Sequence, residues 1–450
     1  MFTPHTSAET EEMLKKIGVR SIDELFLDVP KKFRFPNLDL EKGLTEMEAL
    51  EELREFASSN DTVDELLCFL GAGAYHHYIP AAIDSLLRRG EFYTAYTPYQ
   101  PEISQGTLQA IFEFQSLISN LTGMEVSNAS HYDGATATAE AGLMAWHHFR
   151  GTRKKLVISP VINPQYIEVM HSYLKNYEGI QIVIPSLSHY LTEGPSSLES
   201  YVDKDTALVM VQYPDFMGRL YDYSSLSKRV HEEGSLLGIA TNPTALGLLK
   251  PPGEMGADIV VGEGQPLGIP LSYGGPYLGF LSTKKEFVRK ISGRLAGETT
   301  DAQGRRGYVL TLTAREQHIR REKASSNICT NQGLMALAAT IYLSLLGKSG
   351  LKQVANLCFQ KAHYAADALD HLEGYKVVQV APFFHEFVLM CPLPVDVINE
   401  HLLDHDILGG YDLGKFDPSL ANHMLLCVTE MNSKEQIDHL VSVLGEINHD

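Results

Sequence analysis

Positive charge is scarce in this chain. Lys and Arg number 37 against 56 Asp and Glu, a net charge of −19. So acidic a surface repels phosphate backbones and anionic membranes, and neither nucleic acid nor a membrane is expected as a partner. The one basic stretch, Arg315 to Lys323, is interrupted by acids and predicts ion pairs at a buried junction. Cysteine is rare too: Cys68, Cys329, Cys358, Cys391 and Cys427 are too widely spaced for a metal site. Free thiols of a reducing, cytoplasmic protein are expected. The N-terminal stretch lacks the apolar core of a secretion signal. The longest nearly apolar run, Leu334 to Leu346, falls short of the ~20 residues that cross a bilayer and predicts a buried helix.

Common site motifs are missing as well. Gly347-Lys348-Ser349 ends like a P-loop, but Tyr342 holds the required upstream glycine position. Gly262, Gly264 and Gly268 miss the dinucleotide-binding spacing by one residue. There is no Gly-x-Ser-x-Gly nucleophile elbow. His76-His77 and His147-His148 are adjacent pairs, whose side chains diverge on a helix or a strand instead of chelating one ion.

With 450 residues, 44% of them hydrophobic, the chain is too long for one small core. Its pattern divides it into three. Residues 1–70 form a charged helical arm, in which Thr6 or Ser7 caps a helix that Gly18 ends. The stretch from Asp28 to Pro36 is irregular, either a loop or an arm lying on another surface. Residues 71–330 alternate apolar runs with helical patterns. The runs are Leu156 to Ile158, Ile180 to Ile184, Ala207 to Val211, Leu236 to Ala240, Asp258 to Val261, Gly279 to Leu281 and Tyr308 to Leu312. That order predicts an α/β domain, a mostly parallel sheet with helices on both faces. Residues 331–450 read as a small α+β domain: helices from Leu334 to Leu346 and Leu351 to Leu372, strands Tyr375 to Val380 and Glu386 to Met390, a helix from Val395 to Leu403, the strand Met424 to Val428, and a helix opened by Ser433.

The most informative segment runs from Ser127 to Glu140. A loop with His131 and Tyr132 leads into Gly134-Ala135-Thr136-Ala137-Thr138 and then a helix. Small residues at a helix start let N–H groups approach a phosphate, with threonine hydroxyls as further donors. Many alanine-rich helices start this way with no ligand. His131 and Tyr132 suit either stacking on a flat ring or ordinary loop packing.

Two long stretches carry a family resemblance. Phe69 to Ala145 (FLGAGAYHHYIPAAIDSLLRRGEFYTAYTPYQPEISQGTLQAIFEFQ…SHYDGATATAEAGLMA) resembles the N-terminal half of glycine decarboxylase, the P-protein of the glycine cleavage system. So does Ala257 to Gln332 (ADIVVGEGQPLGIPLSYGGPYLGFL…REKASSNICTNQ). That family is built either as one long chain of two similar halves or as two chains, and this length matches the separate first chain, subunit 1. The resemblance implies the fold-type-I scaffold of pyridoxal phosphate (PLP) enzymes, PLP bound by a second subunit, glycine as substrate, and transfer of the aminomethyl group to the lipoyl group of H-protein.

It also implies what is absent. PLP chemistry needs a lysine for the Schiff base and an acid to keep the ring nitrogen protonated. Gln265 stands where the lysine is expected, and Leu237 to Pro243, where the acid is expected, holds neither Asp nor Glu. The nearest lysines, Lys250, Lys284 and Lys285, read as solvated. A degenerate cofactor pocket is therefore expected around His131, Gly134, Ala135, Thr136, Thr241 and Gln265. Tyr93, Tyr96, Tyr99 and Gln105, in the aromatic loop Tyr93 to Gly106, are the residues expected to reach the partner's pocket; interface packing is the alternative reading. Two rival functions stay open: a self-sufficient PLP enzyme using another lysine, and a purely structural scaffold.

Overall fold

The computed structural model describes residues 4–378 and 381–447, and contains two bodies, Met1–Asp61 and Thr62–Asp450. In the first body lie helices α1 (Ser7–Ile17) and α2 (Glu46–Ser58). Both open with a capping box. Thr6 and Thr45 accept from the N–H three residues on, and Glu9 and Glu48 reach back to the capping residue. Gly18 ends α1 at φ 91°, where a side chain would be strained. Between the helices, Phe26 and Phe35 meet edge-to-face at 5.3 Å. None of the described residues up to Asp61 is buried. Residues 62–70, assigned to the arm from the sequence, fall in the second body, where Leu67 and Cys68 pair in parallel with Ile407 and Leu408.

The second body is built on a seven-stranded sheet. Its strands are β1 (Val126–Ser127), β2 (Lys155–Ile158), β3 (Gln181–Val183), β4 (Thr206–Tyr213), β5 (Leu236–Thr241), β6 (Ile259–Glu263) and β7 (Gly279–Thr283). Their spatial order is β1-β7-β6-β5-β4-β2-β3. Every pairing from β6 to β3 is parallel, and β7 runs antiparallel to both its neighbours. The central strands are continuous apolar runs because both faces are covered. Val209 and Val211 pack on one face with Phe114 and Ile118 of α3 (Gln105–Thr122). Leu208 and Met210 pack on the other with Leu143 and Met144 of α4 (Gly134–His148) and Met170 of α5 (Pro164–Leu174).

Tyr308 to Leu312 does not join this sheet. It forms β9 (Arg306–Thr311), which makes an antiparallel hairpin with β8 (Leu295–Thr300). One face of the hairpin packs on α3, where Tyr308 and Ala296 meet Leu108 and Ile111. A one-sided strand of this kind belongs at a surface ribbon, and its apolar content alone did not reveal that.

The helical run α6 (Gly333–Asp370) breaks at Gly347, whose φ of 58° and ψ of −173° lie outside the helical range. The two expected helices are its two halves. The run is long and apolar enough to cross a membrane by composition. Part of its apolar surface is buried inside the protein: Ala338, Ala339, Tyr342 and Leu343 join the main core. A second, antiparallel sheet follows in the order β10-β11-β13-β12: β10 (Lys376–Val377), β11 (Glu386–Met390), β12 (Tyr411–Asp412) and β13 (His423–Cys427). It is packed with α7 (Val395–Leu403) and α8 (Lys434–Gly445). The end of the expected Tyr375 to Val380 strand, residues 379–380, lies outside the described residues.

Candidate functional site

The end of β6 is the crossing point of the site. Glu263 is its last residue and is buried. Its Oε2 accepts from the Gly134 N–H, the first of α4, at 2.9 Å. Its Oε1 accepts from the N–H groups of Gln265 at 2.9 Å and Leu278 at 3.0 Å. Burial pushes the Glu263 carboxyl up to about 7, against the pull of these donors. One turn into α4, the Thr136 N–H donates to Asp133 Oδ1 at 2.7 Å, and the Thr136 hydroxyl also turns to Asp133. Thr138 spends its hydroxyl on the Gly134 carbonyl. A Cβ on Gly134 would run into the Tyr166 hydroxyl and the Glu263 backbone, so the helix start is closely packed.

Gln265 is buried and fully engaged. Its Oε1 accepts from Tyr75 N–H at 2.9 Å, and its Nε2 donates to the carbonyls of Tyr75 at 2.9 Å and Ile269 at 2.8 Å. The segment Gly71 to Tyr78 is thereby fixed across the pocket. Glu386, at the start of β11, holds the same segment, accepting from Ala72 N–H at 2.7 Å and the Tyr75 hydroxyl at 2.8 Å. Burial pushes the Glu386 carboxyl up to about 7. The His385 ring lies 4.8 Å from the Tyr75 ring, and burial pulls it down to about 3, so it is neutral at pH 7. Glu430 takes the Tyr78 N–H at 2.7 Å and His77 Nδ1 at 2.7 Å. Burial works against its ionisation, yet these partners bring it down to about 2.

Gly134 and Gln265 are thus brought together through Glu263, and Thr241 lies on the adjacent strand, paired in register with Gly262. The Thr241 hydroxyl donates to the Tyr213 carbonyl at 2.8 Å. Ala135 is buried beside Gly134. His131 takes the second of its two readings, a packed loop residue. It is fully buried, its Nε2 lies 3.0 Å from Ser292 Oγ, and burial lowers it to about 3. Its backbone explains this: His131 bridges to Gly279 of β7, which draws the residue into the sheet edge.

The aromatic loop divides in two. Tyr93 and Tyr96, 67% and 85% exposed, border an open cleft of about 230 Å³ with Thr107, Asn331 and Gly333. Tyr99 leans on Arg294, with its hydroxyl 3.3 Å from a guanidinium nitrogen and its ring 5.7 Å from the guanidinium carbon. Gln105 is exposed, but its side-chain amide is bonded within the chain. Its amide donates to the carbonyls of Pro101 and Tyr308 and accepts from Tyr308 N–H at 2.8 Å. It clamps β9 to α3 and has no free donor to offer a neighbour.

Among the lysines, Lys250 pairs with Asp222 at 3.1 Å. Lys285 is exposed, as expected, but Lys284 is half-buried and paired with Asp258. Among the described residues Arg315 makes no ion pair, and its bonds go to main-chain carbonyls. Its guanidinium donates to the carbonyls of Ile291 and Gly293, and burial lowers it to about 10. Sequence reasoning missed Glu263, Tyr75 and Glu386. The one available signal was an acid ending the apolar run Ile259 to Gly262, two residues before Gln265.

A family model described as "Glycine cleavage system P-protein" matches residues 1–444. The chain belongs to the glycine cleavage system P-protein family. It is 53% identical over 448 residues to a protein of Desulforamulus reducens named "Probable glycine dehydrogenase (decarboxylating) subunit 1", covering 99% of this chain and 100% of that one. A protein of the same name from Thermomicrobium roseum is 52% identical over 446 residues, with 99% of each covered. Among solved structures, a glycine decarboxylase (P-protein) in inhibitor-bound form superposes with a TM-score of 0.91 at 41% identity, covering 99% of both chains. A sphingosine-1-phosphate lyase of Burkholderia pseudomallei, 16% identical, shares the fold at a TM-score of 0.66 over 93% of this chain and 94% of that one. The P-protein chain thus has the fold-type-I scaffold of PLP enzymes.

The pocket itself does not fit PLP. A phosphate needs free N–H groups at a helix start, and here two carboxylates already hold those of Gly134 and Thr136. A Schiff base needs an amine, and Gln265 presents an amide. The end of β5, Leu236–Thr241, carries no acid for a ring nitrogen.

Proposed function

We propose that this chain is the non-catalytic subunit 1 of a two-chain glycine decarboxylase. A second subunit supplies the lysine and binds PLP, whose ring, when bound there, acts as the electron sink for decarboxylation. The complex decarboxylates glycine and passes the aminomethyl group to the lipoyl group of H-protein. The observation that carries this reading is Gln265, an amide with all its bonds made to Tyr75 and Ile269.

This chain's own contribution is positional. Tyr93 and Tyr96 present phenol rings at the surface, where a partner can bury them. A Tyr hydroxyl on an apolar wall orients a small carboxylate and excludes water. Tyr99 is held by Arg294 and shapes the base of the same loop. Gln105 fixes where that loop enters α3.

The deciding experiment is to co-express the chain with a candidate second subunit and measure glycine–bicarbonate exchange. Exchange by the pair and by neither chain alone is the expected result. The pair should also bury an obligate-type interface, above roughly 2,000 Å². Exchange by this chain alone would establish the self-sufficient enzyme instead.

A further inference from the structure

The start of α4 is built like an anion cradle, yet the N–H groups of Gly134 and Thr136 both end on side-chain carboxylates of this protein. Gly134 N–H donates to Glu263, and Thr136 N–H to Asp133. Glu263 is not a surface residue that happens to lie near. It is buried at the end of β6, and its three recorded partners are all backbone N–H donors. A carboxylate surrounded by donors is bound as an anionic ligand is bound. Its negative charge also lies at the positive end of α4.

The three donors come from three separate segments: Gly134 opens α4, Gln265 follows β6, and Leu278 precedes β7. We infer that the Glu263 carboxyl group is the chain's own built-in ligand, standing in the cradle where a phosphate group would otherwise be required, and that it ties these three segments together without any other ligand. A phosphate approaching the cradle meets two carboxylates and no free N–H of Gly134 or Thr136. The pocket is therefore complete without a ligand, and this holds whether or not a second chain carries the cofactor.

The test uses the full-length chain and two probes, inorganic phosphate and PLP, at a pH above about 7, where the Glu263 carboxyl is ionised. Thermal unfolding is followed with chloride at matched ionic strength as the control. Wild type should show no saturable rise in Tm with either probe. Glu263→Ala should melt several degrees lower and regain Tm saturably with inorganic phosphate. A saturable rise in wild type, or a folded Glu263→Ala that melts like wild type or ignores phosphate, overturns the inference. Should Glu263→Ala fail to fold without phosphate, Glu263→Gln decides. The amide turns an N–H₂ toward donors, so a lower Tm supports the inference and a wild-type Tm overturns it.

Discussion

Gln265 and Tyr75, 190 residues apart in sequence, hold each other as two strands would: the Tyr75 N–H donates to Gln265 Oε1 and the Gln265 Nε2 donates to the Tyr75 carbonyl, both at 2.9 Å. Only a side chain with both a donor and an acceptor makes that pair.

Gln265→Lys removes the acceptor and buries a charge. The Tyr75 N–H loses its partner inside the protein, which costs about 1–3 kcal/mol. The variant should melt lower than wild type and release no carbon dioxide from glycine without its partner, because the end of β5 still lacks an acid. Since each tenfold in rate is about 1.4 kcal/mol, losing several kcal/mol of carbanion stabilisation leaves no useful turnover. Glycine-dependent carbon dioxide release by this single variant alone would contradict the argument.

The isolated wild-type chain should form no internal aldimine. Incubation with PLP, borohydride reduction and peptide mapping should find no single labelled lysine in the central domain. Labelling concentrated at Lys284, the half-buried lysine paired with Asp258, would restore the self-sufficient enzyme as a reading.

Removing the Tyr96 hydroxyl should lower glycine–bicarbonate exchange in the two-chain complex without weakening assembly, since that side chain is 85% exposed in the single chain. Tyr99→Phe loses the bond to Arg294 and should act more weakly, by loosening the loop. Complex mass and exchange are measured together. Intact assembly with unchanged exchange for both variants reduces the loop to interface packing.

Three buried acids should lose their stabilising effect as pH rises through neutrality. Glu140, Glu263 and Glu386 are each pushed up to about 7 by burial, above the ordinary value of 4.5. The folded state therefore binds more protons than the unfolded chain between those values. The stabilisation is fully present below 4.5 and is lost as pH rises through about 7. Glu430, lowered to about 2, works in the opposite sense and is felt only as pH falls below 4.5, and His131 and His385, lowered from 6.5 to about 3, also oppose the acids until pH passes about 6.5. Urea unfolding between about pH 6.5 and about pH 8 should show this decline, and Glu386→Gln should flatten it. A decline in Glu386→Gln as steep as that of wild type would refute the assignment.

The amino-acid sequence by itself determined the alternation of strands and helices and the family. Those properties rest on local periodicity and on long contiguous motifs, as in Leu208 to Val211 facing two cores or Thr6 and Gly18 bounding α1. It also exposed Gln265 as an amide where an amine was expected. Only the tertiary structure decided what fills the pocket. Glu263 reaches Gly134 across 129 residues and Tyr75 reaches Glu386 across 311. Tyr308 pairs in a separate hairpin and is bonded to Gln105 of α3 across 203 residues. A buried polar group takes whichever partners the packed chain brings within 3 Å or so, and no local pattern encodes which distant segment that will be.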